Sequence, residues 1–354
     1  MNITYILGAG ASCEALPIVN NIPERLGYFA DQFKLHPLEW LLDKQQKSRI
    51  SERYILDIKD LTVQKREYEK LQRFHKDILW LKDESEKHSS IDTFAKKLYL
   101  QENSNLKKLK YILSCFFLSE QVFNFDKRYD SFFASILDNL SKLPNNLRII
   151  SWNYDSQIEI AHSNFSNTTI EKTRKDLNII SKGNNTFDDF NPNEFSIFKV
   201  NGTTSVSHMI DGFYDIIPDF NIKPVSLISH FLEIYSSNKH WEEHEPTMSF
   251  AWETSKEEPI YKSKLRESIR NTDILVVIGY SFPFFNRKTD KFILGSMKNL
   301  SKVYIQDPYN SETIKEKVEG FFPNANVKIP GRITHVIDFK EKKSKDQFFI
   351  PLEF

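Results

Sequence analysis

Cysteine is nearly absent from this 354-residue chain, which has only Cys13 and Cys115. Two cysteines exclude a disulfide framework and any four-cysteine zinc module, and they fit a reducing compartment. Glycine is scarce as well, at 10 residues, so every glycine-centred motif stands out. A surplus of one charge is also missing, because 48 Lys and Arg balance 48 Asp and Glu. Without an overall positive field, neither direct nucleic-acid binding nor attraction to an anionic membrane is expected. Lys96-Lys97 and Lys107-Lys108 read as solvated helix faces. No apolar run approaches the ~18 residues that a membrane span needs, and the first residues lack the basic region and apolar core of a secretory signal. The expectation is a cytoplasmic protein with no membrane attachment. Aromatic residues, by contrast, are plentiful at 14%, and the length allows a large buried core.

The most informative stretch is the apolar run Ile3 to Leu7 followed by Gly8-Ala9-Gly10-Ala11-Ser12. A strand that breaks into small residues and then a helix suits a phosphate. Side chains at Gly8 and Gly10 would keep a pyrophosphate from the backbone amides, and the following helix would offer its free N–H groups and dipole. The usual dinucleotide fingerprint has a third glycine where this chain has Cys13, so an ordinary dehydrogenase is not implied.

Pro23 to Phe33 has helical apolar spacing (Leu26, Phe29, Ala30, Phe33). From about Pro37 to Leu143 glycine almost vanishes and apolar residues fall at helical intervals, among them Tyr68, Leu71, Phe74, Ile78 and Leu81, which predicts an all-helical insertion of roughly four to six helices. Strand character returns at Leu147 to Ser151, at Phe195 to Val200, in the run Ile274 to Ile278 and at Lys302 to Gln306. Helices are expected over about 155–162, 260–271, 287–300 and 311–321, and the stretch 326–339 can add a last strand or two. Alternating strands and helices with short loops predict an α/β fold, a doubly wound, mostly parallel Rossmann-like sheet. The α/β domain is expected to comprise 1–36 and 144–340, the helical insertion 37–143 and a short C-terminal tail 341–354. In that tail Glu341 to Lys345 reads as a solvated charge run and Phe348-Phe349-Ile350 as a docking strand.

Four strand ends carry unusual sequences: Gly8 to Ser12, Ser151-Trp152-Asn153-Tyr154-Asp155, Lys199-Val200-Asn201-Gly202-Thr203 and Gly279-Tyr280-Ser281-Phe282-Pro283. Each alone has a structural account. Asn153 or Asp155 suits a helix cap, Asn201-Gly202 a turn, and Gly279 a close-packed strand end. Their joint occurrence at one edge of a sheet points instead to a ligand site.

The ordered set resembles the sirtuin-like NAD-consuming family, in particular its zinc-free bacterial branch, over residues 1–35 and about 145–310. The resemblance implies that Gly8, Ala9, Gly10 and Ser12 cradle the NAD+ pyrophosphate. It likens Ser151, Asn153 and Asp155 to a Thr-x-Asn-x-Asp motif, and Gly279 and Ser281 to a Gly-x-Ser motif near the far ribose. Asp307 would contact the adenosine. Ser90-Ile91-Asp92-Thr93-Phe94-Ala95 is similar to a segment found in the insertions of bacterial members.

The implied activity is NAD+ glycohydrolysis, with NAD+ as substrate, no metal, and nicotinamide and ADP-ribose as products. In that role Asn153 would orient a water beside the anomeric carbon, and Asp155 would hold the carboxamide or offset developing charge. Most family members carry His where this chain has Asn201 before Gly202, and an asparagine cannot take a proton. Two readings are open: hydrolysis that relies on Asn153 and electrostatics, with Asn201 on the ribose, or a non-catalytic subunit that binds NAD+ or ADP-ribose. Loops that are merely structural make a third. His162 and His208 read as packing or surface residues. Deacetylation is not implied, for want of the zinc module. Zinc-free relatives resemble effectors of bacterial antiviral defence that deplete NAD+. With no sensor domain after the sheet, a co-encoded sensor or regulatory partner is expected, and the insertion is free to cover the site, meet that partner or form a homo-oligomer.

Overall fold

Short, wholly buried runs make the central strands of the main sheet. Ile3–Leu7 (β1), Leu147–Ser151 (β2) and Ile274–Ile278 (β8) are five residues each with every side chain buried, as in parallel strands covered on both faces. The computed structural model describes residues 1–35, 58–139, 142–182, 190–204, 206–208, 212–214, 231, 235, 244–253, 258–326 and 335–354. The other strands are Ile179–Ser181 (β3), Ser196–Lys199 (β4), Val206–His208 (β5), Gly212–Tyr214 (β6), His244–Pro246 (β7), Lys302–Gln306 (β9) and Asp338–Lys342 (β10). Seven of them form one parallel sheet in the order β10-β9-β8-β1-β2-β4-β3. This is the Rossmann-like α/β architecture expected from the alternation of elements.

The chain divides into two compact units. The first is Met1–Leu16, Asn124–Thr203 and Thr247–Phe354, and the second is Pro17–Phe123 with Thr204–Pro246. These bounds differ from 1–36, 37–143 and 144–340. The helix Ile22–Leu35 belongs to the second unit, and the helix Lys127–Ile136 to the first. Periodicity reveals a helix but not which core its apolar face enters. Tyr129, Phe132, Phe133 and Ile136 join the core of β1 and β2, which a sequence pattern alone does not announce.

In the first unit one core layer holds Tyr5, Leu7, Ile149, Ile197 and Val276 with Tyr129 and Phe132, and the other holds Ile6, Ile150, Phe198, Val277 and Ile305 with Leu265 and Leu294. Alternate residues of each strand serve opposite layers, as the pleat requires. The segment after β10 docks as expected, though not as a strand. Phe348 packs edge-on against Tyr129 at 4.8 Å, and the Gln306 amide donates to Ser344 O and Gln347 O while accepting from Phe349 N–H. Part of the charge run, Glu341 and Lys342, lies in β10. The short β3 lies within the Asn- and Asp-rich stretch of about 178–193 that reads from the sequence as a polar loop, and residues 183–189 of that stretch lie outside the described residues.

The second unit contains Ile22–Leu35, Ile58–Lys87, Ile91–Leu100 and Asn105–Phe123, together with an antiparallel sheet in the order β6-β5-β7. The strands of this sheet come from 206–246, and the described elements within 37–143 are all helices apart from an isolated bridge between Asn139 and Lys142. Phe29 makes edge contacts with Phe33, Phe74, Phe116 and Phe231, which shows where much of the aromatic content goes. Ser90 caps the helix Ile91–Leu100 by accepting from Thr93 N–H. That gives Ser90 to Ala95 a local structural role.

Candidate functional site

Register sets the geometry of the edge. Leu7 pairs with Ser151 and Ile278, Ser151 with Lys199, and Ile278 with Gln306. All four unusual segments therefore leave the sheet at one carboxyl edge. The strand order runs outward from β1 through β2 on one side and β8 on the other, so the loops after β1 and β8 flank the switch point where ligands of such sheets bind.

These two loops touch. A Cβ on Gly8 would lie 2.6 Å from Gly279 O, one on Gly10 would lie 2.7 Å from Gly279 Cα, and one on Gly279, whose φ is +58°, would lie 2.5 Å from Ala11 N. The room that the sequence suggests for a pyrophosphate at Gly8 and Gly10 is thus filled by the β8 loop. Gly8 N–H donates to Ile278 O, Gly10 N–H to Gly279 O and Ala11 N–H to Gly8 O, so three of the turn's amides are committed within the protein. Behind Gly8 the chain makes only a four-residue 3-10 turn, Ala9–Ser12, and the next α-helix starts at Ile22. The expected helix dipole directly behind the loop is absent. Ala9 and Cys13 are the exposed residues here.

Ser12 is buried at the centre of a side-chain network. The Asn153 amide donates from Nδ2 to Gly8 O at 2.9 Å and to Ser12 Oγ at 3.2 Å. Tyr129 OH meets the same oxygen at 2.9 Å. Asn153 N–H donates to Ser151 Oγ, which assigns Ser151 to the turn. Asp155 Oδ1 accepts from Gln157 N–H at 3.0 Å, at the start of the helix Gln157–Ser166. Burial pushes the Asp155 carboxyl above its ordinary value, opposed by the Lys199 cation, the bond from Gln157 N–H and the nearby Ser12 hydroxyl.

Two ion pairs absent from the sequence reading support this edge. Lys199, wholly buried at the end of β4, donates to Asp155 O and pairs with the buried Glu159 at 3.2 Å. Arg128 lies bidentate on Asp126 at 2.9 and 2.6 Å and donates to Gly10 O and Ala11 O. Asp126 caps its own helix through Arg128 N–H and accepts from Glu14 N–H beyond the turn. The pair therefore clamps the glycine turn on its carbonyls and on an amide just past it.

Asn201 is 8% exposed. Its Nδ2 donates to Trp152 O at 3.0 Å, while its Oδ1 and the Trp152 indole nitrogen are buried with no partner among the described residues. Such orphans are uncommon in a folded core. Gly202, at φ +73°, has no alternative residue, since a Cβ would lie 1.9 Å from Thr247 O. The Trp152 ring stacks on Tyr280 at 5.2 Å and 9°. Tyr280 OH donates to Asp290 and accepts from Asn286 Nδ2. Burial pushes Asp290 up to about 8 against that bond from Tyr280.

Ser281 is exposed, and its carbonyl accepts from Lys317 Nζ at 2.7 Å. Asp307 Oδ1 accepts from Tyr309 N–H and Asn310 N–H, fixing the turn into the helix Ser311–Glu319. His162 packs edge-on against Phe133 and bonds Thr173, and burial lowers its pKa. His208 lies on β5, in the other unit.

Among the described residues no group of His, Cys, Asp and Glu is arranged to hold a metal ion, and no helix is long and apolar enough to cross a membrane. Fold and site together define a Rossmann-like α/β protein with a polar constellation at the switch point of its sheet. Comparison with family models and with curated proteins found no match to this chain. Sequence reading missed Tyr129, Arg128, Asp126, Lys199 and Glu159. Lys199 alone offered a signal, as a charged residue that ends an otherwise buried strand.

Proposed function

We propose that the chain is an NAD+ glycohydrolase, cleaving NAD+ to nicotinamide and ADP-ribose at the carboxyl edge of the sheet. The observation that carries the reading is the pair of orphaned buried polar atoms, Asn201 Oδ1 and Trp152 Nε1, an acceptor and a donor on neighbouring strand ends beside Asn153. Sugar hydroxyls, which donate and accept, satisfy both.

The nicotinamide of NAD+ is already cationic, so it leaves neutral without a general acid while positive charge develops on the ribose. Such a site has to hold the sugar, stabilise an oxocarbenium-like centre and present water. Asn153 spends its two N–H bonds on Gly8 O and Ser12 Oγ, so its role is to accept from the attacking water at Oδ1. The buried Asp155 supplies negative charge. In the resemblance to zinc-free sirtuin-like proteins this activity serves antiviral defence by NAD+ depletion, under control of a separate sensor protein.

A second reading is a subunit that binds NAD+ or ADP-ribose without turnover. The committed amides of Gly8, Gly10 and Ala11 and the hydrogen-bonded Ser12 favour it, because they leave little of the cradle for transition-state charge. Purified chain incubated with NAD+ decides between them. Nicotinamide release that falls at least about tenfold in Asn153→Ala, at unchanged melting temperature, fits the enzyme. Calorimetric binding without release fits the subunit, and neither release nor binding overturns both.

A further inference from the structure

We propose that Tyr280 is a positioning residue of this site, turning the Trp152 indole so that its N–H faces a bound ligand and steadying Asn201 through the Trp152 carbonyl. The inference rests on the reading of Trp152 Nε1 and Asn201 Oδ1 as ligand contacts, and extends it to the loop after β8 and the helix Arg287–Ser296.

The backbone of Trp152 is pinned on both sides. Its N–H donates to Leu7 O at 2.9 Å, and its carbonyl accepts from Asn201 Nδ2 at 3.0 Å. What remains to be set is the rotation of the indole about its two side-chain torsions. The indole N–H lies in the ring plane, so whatever fixes that plane fixes the direction in which the donor points. Tyr280 does this by lying nearly parallel to the indole, at 5.2 Å and 9°. Stacking occupies a face of the ring and spares the edge that carries Nε1, which agrees with a buried donor that meets no partner among the described residues.

Tyr280 is itself held at its far end. Asn286 Nδ2 can only donate, and it does so to the Tyr280 oxygen at 2.9 Å. The phenolic hydrogen therefore goes to Asp290, whose two oxygens lie at 2.9 and 3.1 Å. The loop around Tyr280 is strained, because Tyr280 and Ser281 are flanked by Gly279 at φ +58° and Phe282 at φ +50°. A glycine adopts such an angle freely, but a bulky phenylalanine does not. It persists where neighbours over-determine the backbone, here through the buried Phe282 ring packed on Tyr280 at 4.7 Å and on Phe321 at 5.9 Å. The strain sits in the loop that carries the ring stacked on Trp152.

The test uses the full chain labelled with 5-fluorotryptophan. Its five tryptophans are followed by fluorine-19 NMR, and the Trp152 resonance is assigned by its loss in Trp152→Phe. Tyr280→Phe keeps the ring and removes the oxygen that Asp290 and Asn286 hold. It should move the Trp152 resonance and raise the KM for NAD+ about tenfold, with kcat changed less than about twofold. Asp290→Ala should do the same. Asp290→Asn restores an acceptor for the Tyr280 hydroxyl and should return both readouts towards wild type, whereas a core merely loosened by Asp290→Ala would melt earlier without a change in KM. An unmoved Trp152 resonance, an unmoved KM, or an Asp290→Asn chain no better than Asp290→Ala overturns the role of Tyr280. Where the wild type binds without turnover, the calorimetric dissociation constant for ADP-ribose takes the place of KM. A wild-type chain that neither cleaves nor binds removes the functional reading, and the resonance then decides alone whether Tyr280 holds Trp152.

Discussion

Asp290 carries a proton where an ordinary aspartate has lost it. It is 1% exposed, its hydrogen-bond partner is Tyr280 OH, and burial pushes its pKa up to about 8. The unfolded chain releases this proton near pH 4, so between that pH and about 8 the folded state binds more protons than the unfolded one. The contribution to stability is complete below the unfolded value and is lost by about 1.4 kcal/mol per pH unit as pH rises towards 8. Asp290→Asn keeps an acceptor for Tyr280 and has no proton to lose. Urea unfolding at pH 5, 6 and 7 should show the wild-type slope flattened by that amount in the variant; equal slopes would mean that Asp290 is ionised in the fold. The same residue supports Trp152 through Tyr280, so this carboxyl bears on the orphaned indole N–H as well as on stability.

The helix Lys127–Ile136 shows at the element scale what a sequence pattern conveys and what it conceals. Its apolar spacing marks it as a helix, yet nothing local says that its first turn grips the glycine turn through Asp126, Arg128 and Tyr129. Those partners lie over a hundred residues apart in the chain. Asp126→Ala would remove the cap and leave a buried guanidinium with only the longer 3.8 Å pairing to the half-exposed Glu14, which should cost about 3 kcal/mol, read as a lowered denaturant midpoint. Arg128→Met in the same background should recover part of the loss, since an apolar side chain has no charge to leave stranded. By contrast, β1, β2, β8 and β9 were legible because each is a short apolar run, and Gly8, Gly10, Asn153, Asn201 and Gly279 were legible because few residue types do what those positions demand. The three-residue β3 was not, because it lies in an Asn- and Asp-rich stretch with too few residues to show alternation. The reach of Lys199 to Glu159, a pair made by strand pairing and helix docking together, was equally hidden.

For the whole molecule, the candidate site belongs to one of the two compact units. Every strand-end residue named for NAD+ lies in the unit Met1–Leu16, Asn124–Thr203 and Thr247–Phe354. A ligand present at a hundredfold over its dissociation constant should add ~2.7 kcal/mol to the stability of whatever it binds. Hydrogen-exchange mass spectrometry with saturating NAD+ should therefore show new protection concentrated in β1, β2, β4 and β8 and the segments directly after them. Protection confined to Ile58–Lys87 and Asn105–Phe123 would place the ligand elsewhere. The balance of 48 basic and 48 acidic residues fits a soluble ligand approached without long-range steering.

The contact of Gly8 and Gly10 with Gly279 has a consequence for how such a chain can change. Because one small volume is shared by the loops after β1 and β8, a side chain gained at any of these three positions has to be matched by backbone movement in the other loop. Substitutions there are inherited as a set or not at all, and a library that varies one loop while fixing its neighbour would return glycine at all three.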